Sequence, residues 1–135
     1  MLALTRQTWL EIVAEAWRVY PLEACGLLIG QPGGDRVERF VPITNAEASS
    51  RVYTLESREY LRASRAADDE GLDIVGVLHS HTHTAAYPSP TDVERAAVAE
   101  WHWAIVSLAW GEPELHSFRI VEGGIEEESV ALVAP

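Results

Sequence analysis

The sequence predicts an α/β domain with a mixed sheet and about three helices, and three observations lead to that class. An amphipathic stripe marks a helix near the start of the chain. Short β-prone runs follow, separated by turn residues and by two further helix starts. One of these runs, Leu72 to Leu78, is apolar throughout, as a strand covered on both faces must be.

Taken in order, the first helix carries Trp9, Ile12, Val13, Ala16, Trp17 and Tyr20 at the spacing of one helical face. Thr5 or Thr8 is placed to cap it, Thr8 with Glu11 having capping-box spacing, and Pro21 stops it. Ala24 to Gly30 and Val37 to Ile43 read as antiparallel strands joined through Gln31-Pro32-Gly33-Gly34-Asp35. Thr44 to Arg51 is polar loop, and Val52 to Leu55 reads as a short strand. Ser57 is placed to cap a second helix running toward Gly71. After the apolar strand, Ser89-Pro90-Thr91-Asp92 has the form of a helix start, with Val93, Ala96 and Ala97 as the buried face. Trp103 to Ala109, Leu115 to Val121 and Ser129 to Val133 are the closing strands, with turns at Glu112-Pro113 and Gly123-Gly124.

At 135 residues, the chain is expected to form one domain over 1–135. It is 47% hydrophobic with five Trp, enough apolar surface to fold as a globule rather than stay disordered. A net charge of −11 repels phosphate backbones and anionic lipid, so neither nucleic acid nor membrane is an expected partner. The acidic runs Asp68-Asp69-Glu70 and Glu126-Glu127-Glu128 read as solvated faces. A lone cysteine, Cys25, permits no internal disulfide and no paired-cysteine metal knuckle. With no apolar stretch of spanning length and no signal-peptide pattern, a cytoplasmic protein is expected. All ten basic residues are Arg, a bias best explained by genome composition.

The stretch HSHTHTAAYPSPTD, residues 79 to 92, carries the chemistry. If the strand continues through His81, His79 and His81 share one face, because strand side chains alternate. Two imidazoles at a strand end supply half of a zinc site, and Asp92 in the next helical turn is placed to add a carboxylate. Such a set leaves a fourth tetrahedral position for water, the mark of a catalytic zinc. Each signal alone has an ordinary explanation: surface histidines are common, and Asp92 closes a capping box with Ser89. Their position just past a buried strand, where open α/β sheets place ligands, favours the metal reading.

These residues resemble a family. H-S-H, seven residues, Ser, two residues and Asp form the JAMM motif of MPN-plus metallopeptidases, matched at positions 79, 81, 89 and 92. The motif also calls for an upstream Glu near E-x-C-G-x-L-x-G, matched by Glu23 to Gly30. The likeness runs from the first helix to the final strands. It departs where many relatives have Pro after the second His; here that residue is Thr82. His83, an extra histidine, is read as a loop residue because the ligand set is complete without it. TNAE at 44 to 47, AYPS-x-TD and FRIVEGGIEEE at 118 to 128 further resemble bacterial peptidases that act on a ubiquitin-like sulfur-carrier protein.

The resemblance implies an MPN (cytidine-deaminase-like) fold, with one Zn2+ and its water held by His79, His81 and Asp92. It also implies a general base at Glu23 and an oxyanion donor at Ser89. The implied reaction is hydrolysis after the C-terminal Gly-Gly of a ubiquitin-like sulfur carrier, releasing cysteine in cysteine biosynthesis. Removal of ubiquitin-like modifiers from lysines, broader small-peptide hydrolysis and a non-catalytic MPN scaffold are the alternatives. A true deaminase would need P-C-x-x-C, which a single cysteine excludes. Ser80 faces away from the ligands, and His102 and His116 are assigned no function. Cys25 reads as a small buried hydrophobe rather than a nucleophile.

Overall fold

The computed structural model describes all of residues 1–135. Its elements, in order, are β1 (Leu2–Thr5), α1 (Arg6–Val19), β2 (Cys25–Gly30), β3 (Arg39–Ile43), α2 (Ser57–Asp69) and β4 (Asp73–His81). They are followed by α3 (Pro90–Arg95), β5 (His102–Ser107), β6 (Glu114–Val121), β7 (Gly124–Glu128) and β8 (Val130–Val133). Six strands make a mixed sheet in the order β3-β2-β4-β5-β6-β7. Only β4 and β5 run parallel in it.

Strand alternation sorts the core into two layers. Leu28, Leu78, Ala104 and Val106 point to one face and pack with Ile12 and Ala16 of α1 and with Leu2 and Leu4 of β1. Leu27, Ile29, Val77 and Ile105 point to the other, against Ala67 of α2, with Val93 of α3 and Trp101 on the margin. The sheet is therefore covered on both sides, which explains why β2 and β4 read as continuous apolar runs. Gly76 lies where β4 meets β5; a Cβ there would strike the His102 carbonyl. No helix is long and apolar enough to cross a membrane.

Several boundaries differ from the sequence expectation. β1 was not anticipated: its four residues directly precede α1, and they pair in parallel with β8 as a separate two-stranded sheet. β8 therefore does not close the main sheet. Thr5, not Thr8, caps α1, its hydroxyl accepting from the Thr8 N–H at 3.2 Å. Glu56, not Ser57, caps α2. Val52 to Leu55 is extended but forms no strand; only an isolated bridge joins Asn45 to Leu55. α3 stops after six residues with none fully buried: Val93 and the cap residue Ala96 pack on the core margin, but Ala97 lies beyond the helix and is exposed.

The acidic run Glu126-Glu127-Glu128 is not a solvated face throughout. It belongs to β7, and the Glu128 side chain is 8% exposed. Its carboxylate accepts from His102 Nδ1 at 2.6 Å and from Ser117 Oγ at 2.7 Å. It also meets the N-terminal ammonium at 2.8 Å. Asp68, Asp69 and Glu70 are exposed, as expected.

Candidate active site

β4 continues through His81, so His79 and His81 fall on the same face, the one that carries Val77. Both are buried. α3 then brings Asp92 back over them. Its start is fixed locally: the Ser89 hydroxyl accepts from Asp92 N–H at 3.1 Å, and Asp92 Oδ2 accepts from Ser89 N–H at 2.9 Å. Pro90 supplies the pre-set backbone of the first turn.

The three side chains converge. His79 Nε2 lies 3.1 Å from His81 Nε2, and the two nitrogens lie 3.2 and 3.1 Å from Asp92 Oδ2. Four-coordinate zinc with bonds of about 2.0–2.1 Å sets its ligands about 3.3–3.4 Å apart. The donors thus form nearly one face of that tetrahedron, and lone pairs so close repel unless a proton or cation lies among them. Ala85 C=O, which can only accept, lies 2.8 Å from His81 Nδ1; the proton therefore sits on Nδ1 and Nε2 faces the cluster. His79 is held by Tyr53, whose ring stacks on it with centroids 4.5 Å apart.

Burial pushes the His79 pKa below its ordinary value, which favours the neutral, metal-binding form. Burial also depresses His81, but its bonds to Asp92 and Ala85 outweigh this and raise it. Asp92 is drawn up by burial and further down by hydrogen bonds from His79 and His81, ending well below the usual carboxylate range.

Glu23 precedes β2 and is 4% exposed, with Oε1 bonded to nothing in the chain. Burial lifts its pKa from 4.5 to about 7, the His81 charge opposing and the Asp92 charge assisting. Glu23, His81 and Ser89 line one cavity of about 550 Å³ together with Ser50, Arg51, Thr82, His83 and Thr84. His83 stays outside the His79, His81 and Asp92 cluster. Its ring nitrogens lie 2.8 Å from Thr82 Oγ1 and 3.4 Å from the Tyr20 hydroxyl. Cys25 is fully buried, its thiol pushed up to about 12 by burial and by the neighbouring carboxylates of Glu15, Glu23 and Glu59.

Three positioning residues escaped the sequence reading. Ser80 does face away from the ligands, but its hydroxyl accepts from Ala24 N–H at 2.7 Å and so pins the residue after Glu23. Asn45 donates to the carbonyls of Glu23 and Val52 at 3.2 and 3.0 Å, tying the two cavity walls together. Tyr53 supports His79. The TNAE stretch was the one visible signal for Asn45; the other two depend on pairings no local pattern shows.

Fold and site together define a peptidase of the JAMM type, a hydrolase with a His-His-Asp triad able to hold a metal ion beside a buried glutamate. The chain belongs to the family described as prokaryotic homologs of the JAB domain, whose profile matches residues 5–121. It is 47% identical over 125 residues to the CysO-cysteine peptidase of Mycobacterium tuberculosis, covering 90% of this chain and 84% of that one. A probable TtuB-protein conjugate cleaving protease of Thermus thermophilus is 32% identical over 124 residues, covering 91% of this chain and 76% of that one. The solution structure of a Desulfitobacterium hafniense protein superposes with a TM-score of 0.90 at 36% identity, covering 100% of this chain and 94% of that one.

Proposed function

We propose that this chain is a zinc peptidase that hydrolyses the bond after the C-terminal Gly-Gly of a small ubiquitin-like sulfur carrier and releases cysteine. The observation that carries the chemistry is the His79, His81 and Asp92 cluster with an unpartnered glutamate in the adjoining cavity. The likeness to a CysO-cysteine peptidase supports a cysteine-bearing carrier as the substrate, and the proposed role in cysteine synthesis follows from that substrate.

His79 Nε2, His81 Nε2 and Asp92 Oδ2 would hold one zinc per chain, and zinc bound there would supply Lewis acidity and make water a usable nucleophile near neutral pH. Glu23, its pKa near 7, takes a proton from the attacking water and passes it to the leaving amine. The Ser89 hydroxyl accepts from Asp92 N–H, so its own hydrogen is free to donate to the developing oxyanion.

The carrier tail is extended and suits pairing with an edge. Arg51 to Leu55 offers one: Thr54 bonds inward to Asn45 and Ala46, while the N–H groups of Tyr53 and Leu55 donate to nothing in the chain. Two glycines let the backbone pass close to the metal cluster along a narrow groove.

The test is a carrier ending in Gly-Gly-Cys, incubated with zinc-loaded protein and followed by mass spectrometry. Loss of one residue is expected, and changing the last glycine to valine should abolish it. A valine-tailed carrier cut as fast as the glycine form would replace this reading with a broader peptidase. The likeness to a conjugate-cleaving protease supports a second reading, release of modifiers from lysines.

A further inference from the structure

The cavity beside the metal cluster carries a cation that nothing in the protein neutralises. Arg51 lines it and is exposed, and its guanidinium makes no hydrogen bond or ion pair within the chain. Arg18, Arg39 and Arg119 each sit against a carboxylate, whereas Arg51 lines the cavity that Glu23, His81 and Ser89 share. The only acidic residue on the same wall is Glu23, and no hydrophobic residue lines the space.

Arg51 is also held in place. Its backbone N–H donates to Ser49 Oγ at 3.0 Å, and the next carbonyl, Val52, accepts from Asn45. Asn45 binds the Glu23 carbonyl as well, so the segments bearing the cation and the carboxylate are tied through one side chain.

The side of the cluster on which the leaving group sits follows from proton transfer. Glu23 must reach the departing amine, and Glu23 opens into this cavity. The residue that departs therefore occupies the space under Arg51. If that residue is a free amino acid, its α-carboxylate lies one carbon from the amine. If it is a lysine side chain in a protein, that position holds uncharged methylene.

We propose that Arg51 binds the free α-carboxylate of the departing residue, so that the cavity selects adducts ending one residue beyond Gly-Gly over lysine isopeptides. This rests on the peptidase reading above and adds the determinant of its specificity. A planar guanidinium matches a carboxylate with paired hydrogen bonds, and an ammonium at the same place matches it less well.

The experiment compares three substrates with zinc-loaded wild type, Arg51→Ala and Arg51→Lys. They are a carrier ending in Gly-Gly-Cys as the free acid, the same protein as its C-terminal carboxamide, and the carrier joined through Gly-Gly to a peptide lysine. Wild type is expected to favour the acid over the carboxamide by roughly 10- to 100-fold in kcat/KM, the effect of one charged hydrogen-bonding partner. Arg51→Ala should collapse that ratio toward one by slowing only the acid, with zinc content unchanged, and Arg51→Lys should restore part of it. Equal cleavage of acid and carboxamide by wild type, or a ratio unchanged in Arg51→Ala, overturns the assignment while leaving the peptidase reading intact. Failure of wild type to cut any Gly-Gly adduct removes both.

Discussion

Replacing Glu23 by Gln should destroy turnover and yet stabilise the metal-free protein, and the two effects come from one cause. The carboxylate is buried with one oxygen unpartnered, and its pKa rises from 4.5 to about 7 on folding. The folded state thus binds its proton more tightly than the unfolded state. Below about pH 4.5 both states are protonated and no cost arises; as pH climbs to about 7 the unfolded state ionises first and stability falls. At about 1.36 kcal/mol per pKa unit, the full cost above pH 7 is about 3 kcal/mol. Gln has the same shape and no charge to desolvate. Chelator-treated Glu23→Gln should therefore be more stable than chelated wild type by about 1–3 kcal/mol at pH 8, with no difference at pH 4. In a domain of this size that is a rise of about 3–10 °C in Tm, readable by calorimetry. Zinc-loaded Glu23→Gln should keep its metal and lose roughly 10²–10⁴ in kcat. A variant less stable than wild type at pH 8, or one that still turns over normally, would show that the carboxylate has a structural partner and that another group is the base.

Wild-type protein purified without chelator should contain about one zinc per chain, and His81→Ala or Asp92→Ala should lose it by elemental analysis; full retention in both would sink the ligand assignment. Cys25→Ala should leave kcat nearly unchanged, and Cys25 should resist iodoacetamide in the folded protein, because a buried thiol pushed up to about 12 holds no thiolate at neutral pH. Glu128 is drawn up by burial but further down, to about 2, by the N-terminal ammonium, His102 and Ser117. Its stabilising contribution is therefore present above about pH 4.5 and lost as pH falls through about 2. Glu128→Gln should cost about 1–3 kcal/mol at pH 6 in urea denaturation, with the gap to wild type closing on acidification; a pH-independent gap would contradict this.

What was legible in the sequence followed from period and punctuation. The stripe from Trp9 to Tyr20, the apolar run into His79 and the Ser-Pro-x-Asp helix start each encode their conformation within a few residues. What was missed depends on partners far away in the chain. Leu2–Thr5 is too short to announce itself and is a strand because Val130–Val133 lies beside it. The Glu-rich run of β7 looked solvated because its burial depends on His102, 26 residues earlier. Val52 to Leu55 has strand composition, but its backbone is met by the side chains of Asn45, Ser49 and Arg95 and by a single bridge rather than by a neighbouring strand. The convergence of His79, His81 and Asp92 was readable because two of the three share one strand. Ser80, Asn45 and Tyr53 were not, because each acts on the site through a neighbour.

The helix-cap role of Asp92 and its proposed role as a metal ligand do not compete. α3 has six residues and buries none of them fully, only Val93 and the cap residue Ala96 packing on the core margin, and a helix so short has little stability of its own. Its start is held by the Ser89 and Asp92 box and the proline between them, and its end by Arg95, which donates to the Tyr53 carbonyl at 2.7 Å. That same box fixes Asp92 Oδ2 through the Ser89 N–H and points it at both histidines. A carboxylate on a longer, freer side chain would reach the histidines only by giving up rotamer freedom on binding. Here that cost is already met in forming the helix start. The cap also uses the Ser89 oxygen as acceptor and leaves its hydrogen free on the cavity side, so one turn of helix positions both residues to which the proposed mechanism gives the third metal donor and the oxyanion donor. The local geometry that looked like an ordinary helix start is the means by which the site is aimed.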